Sequence, residues 1–65
     1  MYEFLVKIYG AHKDIPSSTI LVHRYVNADT EDQAQSLIVD YLPILNRQRN
    51  YDYTLTVQSI SKCSK

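Results

Sequence analysis

The residues of this chain that could do chemistry are few, and their spacing decides against most of what they could do. His12, Lys13 and Asp14 stand side by side, the residue types of general acid and base catalysis. Adjacent residues in a loop are not held in one geometry, and a chain this short has no pocket to build around them. His23 could ligate a metal, but His12 and Cys63 are the only other nitrogen or sulfur ligands, and neither spacing matches a zinc signature. The expectation is therefore of no catalytic site, no metal and no cofactor.

Cys63 is the only cysteine, set in the polar stretch SKCSK. It can form no internal disulfide, which suits a reducing compartment, and without a neighbour to lower its pKa it reads as an inert thiol. Seven basic and seven acidic residues cancel, so the overall positive field of a strong non-specific nucleic-acid binder is missing. No apolar run reaches the roughly 20 residues of a membrane span. The N-terminus reads as a mixed strand and not as a secretory leader, and the expected address is cytoplasmic. With 45% hydrophobic and 22% charged residues in 65, the composition is that of one small folded domain. Residues 1–61 are assigned to it and 62–65 to a polar tail.

Positioning falls to four elements. Tyr2 to Tyr9 (YEFLVKIY) is apolar on both faces, the mark of a central strand. Gly10 to Ser18 holds the only glycine and one of two prolines and reads as a long hairpin loop into a second strand, Thr19 to Asn27. Ala34, Leu37, Ile38, Tyr41, Leu42 and Leu45 then recur on one helical stripe. Thr30 and Gln33 stand in capping-box register, with Glu31 and Asp32 in the first turn. Pro43 is expected to end this helix near Leu42 or to kink it with one further turn to Asn46. Tyr51 to Ile60 alternates as a last strand, with Tyr51, Tyr53, Leu55 and Val57 on one face. Direction fixes the topology: in a ββαβ chain the last strand is antiparallel to the first and parallel to the second. The reading is α+β, a three-stranded antiparallel sheet in order 2-1-3 with one helix across one face.

Placing Phe4, Val6, Ile8, Ile20, Val22, Val26, Tyr53, Leu55 and Val57 under the helix gives a coherent core. It also turns Arg24 inward, which requires either a stem that snorkels to the edge or a bulge in the second strand. The other face then carries Leu5, Lys7, Tyr9, Leu21, His23 and Tyr25, beside Thr54 and Thr56. Apolar and aromatic residues with flanking cations are the composition of protein interfaces. Leu5, Tyr9, Leu21, His23 and Tyr25 are therefore the expected partner-binding residues, for a protein partner or a second copy in a homodimer. The alternative is a nucleic-acid-binding module in which Arg24, Tyr25, Arg47 and Arg49 stack bases and neutralise phosphates. The acidic residues Asp29, Glu31 and Asp32 are read as helix capping, and together with Asp40 they are too few for a phosphate mimic.

The strand YEFLVKI, then VNADTEDQAQSLI entering a capped helix, then one further strand resembles in outline the small ββαβ proteins carried by bacteriophages and plasmids. That resemblance implies an accessory protein, an inhibitor or adaptor that works in the host cytoplasm by occupying a partner's surface. It rests on element order over most of the chain and transfers no functional residue.

Overall fold

The computed structural model describes residues 1–63. It contains β1 (Tyr2–His12), β2 (Thr19–Ala28), α1 (Glu31–Gln48) and β3 (Tyr53–Lys62). The sheet has the order β2-β1-β3, with both pairings antiparallel. This is the ββαβ arrangement expected from strand direction.

β1 is the central strand and buries the most side chains of the three. Phe4, Val6 and Ile8 lie 4%, 0% and 0% exposed beneath α1. Together with Val22, Ala28, Ala34, Ile38 and Leu45 they form the core, flanked by half-buried Ile20, Val26, Tyr41, Leu42, Leu55, Val57 and Ile60. Burying one Val, Ile or Phe side chain contributes about 1.5–3 kcal/mol, so these few residues account for most of the apolar driving force.

The hairpin is tighter than the sequence suggests. Pairing runs from Tyr2↔Ala28 through Gly10↔Ile20 to Ala11↔Thr19 without a shift, which places Gly10, Ala11 and His12 in β1 and leaves only residues 13–18 as loop. Gly10 is needed for close approach. A Cβ there would lie 2.7 Å from Ile20 Cγ1 and 2.8 Å from Leu55 Cδ2, so the side chains of both neighbouring strands fill the space that a larger residue would claim.

The bulge is in β3 and not in β2. Lys7 pairs with Ser59 but Ile8 with Val57, leaving Gln58 opposite no residue of β1. The extra residue switches the facing parity of the strand, so that Ile60 follows Tyr53, Leu55 and Val57 onto the helix side. Without it, Ser59 would enter the core and Ile60 would face water.

α1 starts as its capping residues require. Thr30 Oγ1 accepts from Gln33 N at 3.1 Å, and Gln33 Oε1 accepts from Asp29 N at 2.7 Å, one residue before the usual capping-box partner. The helix does not stop at Leu42 or Asn46 but continues to Gln48 with Pro43 inside it. Pro43 and Val39 lie on the exposed side, where water can reach the carbonyl that proline leaves without a donor. Leu45, 2% exposed, gives the last turns a core contact that offsets the lost bond. The helix closes through Tyr51 N to Asn46 O at 2.8 Å and Asn50 N to Arg47 O at 3.1 Å. To do so Asn50 and Tyr51 take φ of 57° and 59°, a left-handed conformation that costs a non-glycine residue about 1–2 kcal/mol. Tyr51 is therefore in a turn and not on the strand face to which its alternation pointed.

Of the expected tail 62–65, Lys62 still belongs to β3, and Cys63 donates its N–H to Glu3 O at 2.8 Å. Positions 64 and 65 lie outside the described residues. Among the described residues no helix is long and apolar enough to cross a membrane.

Gly10→Val should destabilise the protein by about 1–3 kcal/mol through overpacking, read as a lower urea midpoint. Pro43→Ala should stabilise it by about 1–3 kcal/mol, since it restores a donor inside an intact helix. In both cases the denaturant slope should stay unchanged.

Candidate functional site

The side of the sheet away from α1 holds the residues expected to bind. β1 contributes Leu5, Lys7 and Tyr9; β2 contributes Leu21, His23 and Tyr25. The register sets them in cross-strand pairs, Leu5↔Tyr25, Lys7↔His23 and Tyr9↔Leu21. On the far side β1 meets Ser61, Ser59 and Thr56 of β3. The face is thus divided lengthwise, with apolar and aromatic residues on β1 and β2 and small hydroxyl side chains on β3. All five residues predicted to bind a partner share this face. Tyr25 is 65% exposed, Leu21 52% and Tyr9 38%; Leu5 is half-buried and His23 exposed. Directly opposed side chains in a sheet lie about 4.5–5.5 Å apart at Cβ, so Leu5 with Tyr25 and Tyr9 with Leu21 make two apolar patches on either side of the Lys7–His23 pair.

The residues of the nucleic-acid alternative are not brought together. Arg24 and Tyr25 are neighbours on β2 and so project to opposite faces. Arg24 pairs with Val6 on the helix side, and β2 keeps an unbroken register, so the stem snorkels and no bulge is involved. The guanidinium carbon lies 5.7 Å from the Tyr41 ring centroid, and Nη1 donates to His23 O at 3.0 Å. Arg47 sits in the last turn of α1 and Arg49 caps its end.

The His12–Lys13–Asp14 tripeptide is occupied structurally. His12 Nδ1 accepts from the backbone N–H groups of Asp14 and Ile15 at 3.0 and 3.2 Å, and its ring stands edge-on to Tyr53 with centroids 5.1 Å apart. Lys13 N donates to Asp52 O at 2.9 Å, and Lys13 Nζ approaches Asp52 Oδ1 at 4.0 Å. Ser18 Oγ and Tyr53 Oη lie 3.3 Å apart. These contacts join the hairpin loop to the start of β3. Among the described residues no group of three or more His, Cys, Asp or Glu could hold a metal ion.

A second feature was not foreseen. An open groove of about 380 Å³ runs along the outer edge of β2 beneath α1, lined by Arg24, Val26, Leu37, Ile38 and Tyr41 among others. Leu37 belongs to the apolar stripe of the helix, yet it is 45% exposed because the sheet ends at β2 and has no fourth strand to cover it. The signal in the sequence was Arg24 itself, an inward charge that only an edge strand can tolerate.

No protein-family model, curated protein or solved structure matches the chain. The surface therefore has to carry the functional argument.

Arg24→Met, which keeps the stem over Tyr41, should change stability by less than about 1 kcal/mol, whereas Arg24→Ala should cost more because the apolar stem is lost as well. Equal losses in chemical denaturation would mean that the charge and not the stem is what matters.

Proposed function

We propose that this chain is a non-enzymatic protein-binding module, of inhibitor or adaptor type, that acts by laying the open face of its sheet on a partner's surface. The observation that supports this most directly is the grouping of Leu5, Tyr9, Leu21 and Tyr25 on a face to which the fold assigns no helix. A single helix can cover one side of a sheet, and a face left to water would ordinarily alternate to polar residues. Here only β3 is polar throughout, and on β1 and β2 the apolar pairs Leu5↔Tyr25 and Tyr9↔Leu21 interrupt the polar pairs Glu3↔Asn27 and Lys7↔His23. Tyrosine beside leucine in a flat patch, with a lysine and a histidine between, is the pattern of residues that dominate binding energy at interfaces. The shape agrees: the molecule measures 39 × 19 × 15 Å with a radius of gyration of 12.5 Å, against about 11 Å for a compact domain of this length. It is elongated, and one side of the sheet is left uncovered along that length. The lone Cys63 suits a reducing compartment for this activity.

The test is substitution on that face with the partner isolated on the unmodified protein. Tyr25→Ala or Leu21→Asp should weaken binding by about tenfold or more while the far-UV spectrum and melting temperature stay close to those of the parent, because neither side chain is in the core. Binding should change little with salt, as for an apolar contact, whereas a phosphate-contacting surface would lose affinity steeply. Normal binding by both variants would overturn this assignment.

A further inference from the structure

The two edges of the sheet are unequally protected. An edge strand offers unpaired N–H and C=O groups to any other strand, and stable monomers blunt such edges with bulges, prolines, lysines, inward-pointing charges or short length. β3 has a bulge at Gln58 in its middle and ends on Lys62. β2 has only one such device, the inward-pointing Arg24, whose guanidinium donates to His23 O at 3.0 Å. It runs ten residues from Thr19 to Ala28, keeps one register with β1 throughout, and contains no proline, glycine or lysine. It is also flanked by exposed apolar side chains on both faces: Leu21 and Tyr25 on the open side, and Leu37 above the groove on the helix side. A strand placed against this edge would find apolar neighbours both above and below.

We infer that the occupant of this edge is β2 of a second copy, paired antiparallel about a two-fold axis at His23, so that two three-stranded sheets become one of six strands. A two-fold antiparallel pairing matches residue i with residue 46 − i, so side chains of the same face meet. On the open face Leu21 of one copy then stands opposite Tyr25 of the other, and the reverse. This extends the Tyr9↔Leu21 and Leu5↔Tyr25 pairs within each copy into two rows that cross the dimer, Tyr9–Leu21–Tyr25–Leu5 in each direction. Aromatic and aliphatic cross-strand pairs of this kind contribute to sheet pairing. On the helix side Arg24 meets Val22 of the other copy, and its guanidinium, which in the monomer donates to His23 O at 3.0 Å, yields that edge carbonyl to the partner strand while keeping its place over Tyr41. Stacking two open faces is the competing arrangement, and charge argues against it: it would bury the Lys7–His23 row of both copies, whereas edge pairing leaves that row in water.

The size is consistent with a reversible dimer. The nine residues Thr19 to Asn27 that this axis pairs, at about 3.4 Å each over a molecule 15 Å thick, give a contact of about 460 Å² per copy, just under the size of a stable specific interface and in the range of a weak one. The monomer should therefore predominate on dilution, with the dimer forming as concentration rises. The dimer does not depend on the open face having another partner, though it would double the apolar area presented to one.

The experiment is light scattering on the full chain over a concentration series, combined with residue-resolved amide hydrogen exchange at the two ends of that series. The mass should rise from 7.6 kDa toward twice that value. Alternate amides of β2 should gain protection of about tenfold or more with concentration, while the outward amides of β3 stay unprotected. A mass that never leaves 7.6 kDa overturns the proposal. So does a dimer in which the β2 edge amides exchange as fast as in the monomer, which would point to face stacking, or one in which β3 is protected instead. None of these outcomes bears on whether Tyr25→Ala weakens a different partner, so the two readings can fail separately.

Discussion

Burial of Val6 and Ile8 at the middle of β1 is the contact from which the other placements follow. Both are fully excluded from solvent, and among the described residues one helix is present to exclude it. α1 must therefore lie over β1, which brings Ile38 and Leu45 down onto the centre of the sheet and makes β2 and β3 its two edges. Everything on the other face is left uncovered by the same act. The candidate interface is in this sense a by-product of scarcity: a domain of this size buries only about 60% of the surface its unfolded chain exposes, and the unburied remainder is concentrated on one side.

Two local departures from regularity keep this arrangement closed. The bulge at Gln58 turns Ile60 inward where strict alternation would have buried Ser59, so the core gains an apolar residue at the end where Phe4, Ala28 and Ala34 cluster. The left-handed pair Asn50 and Tyr51 folds the chain from α1 into β3 within four residues. Each departure has a local cost, in an unpaired residue or in backbone strain, and each is repaid through packing elsewhere.

Element order, sheet order and the residues of the open face were legible from the sequence, because they follow from side-chain period and from the direction in which the chain must run. What was not legible depended on tertiary contacts. Pro43 marks a helix end by local rules, and only the burial of Leu45 beyond it explains why the helix continues. Gly10 looks like a loop residue until the Ile20 and Leu55 side chains on either side of it are seen. Tyr51 fits the alternation of the last strand but is claimed by the helix terminus. For Arg24 the sequence offered two outcomes, and the unbroken β2 register selected the snorkelled stem. The groove beside Leu37 is a vacancy between elements, and vacancies leave no periodic trace in a sequence.

The placement of β3 also has a kinetic side. β1 and β2 are joined by a short loop, whereas β3 pairs with β1 across a long sequence separation, with Phe4 opposite Lys62. Loop-closure entropy has to be overcome before that pairing yields any contact. The contacts between His12 and Tyr53, Lys13 and Asp52, and Ser18 and Tyr53 lie at the end where β3 begins, close to the turn that delivers it from α1. They tie the first rung of β3, where Tyr53 pairs with His12, to the hairpin that precedes it in the chain.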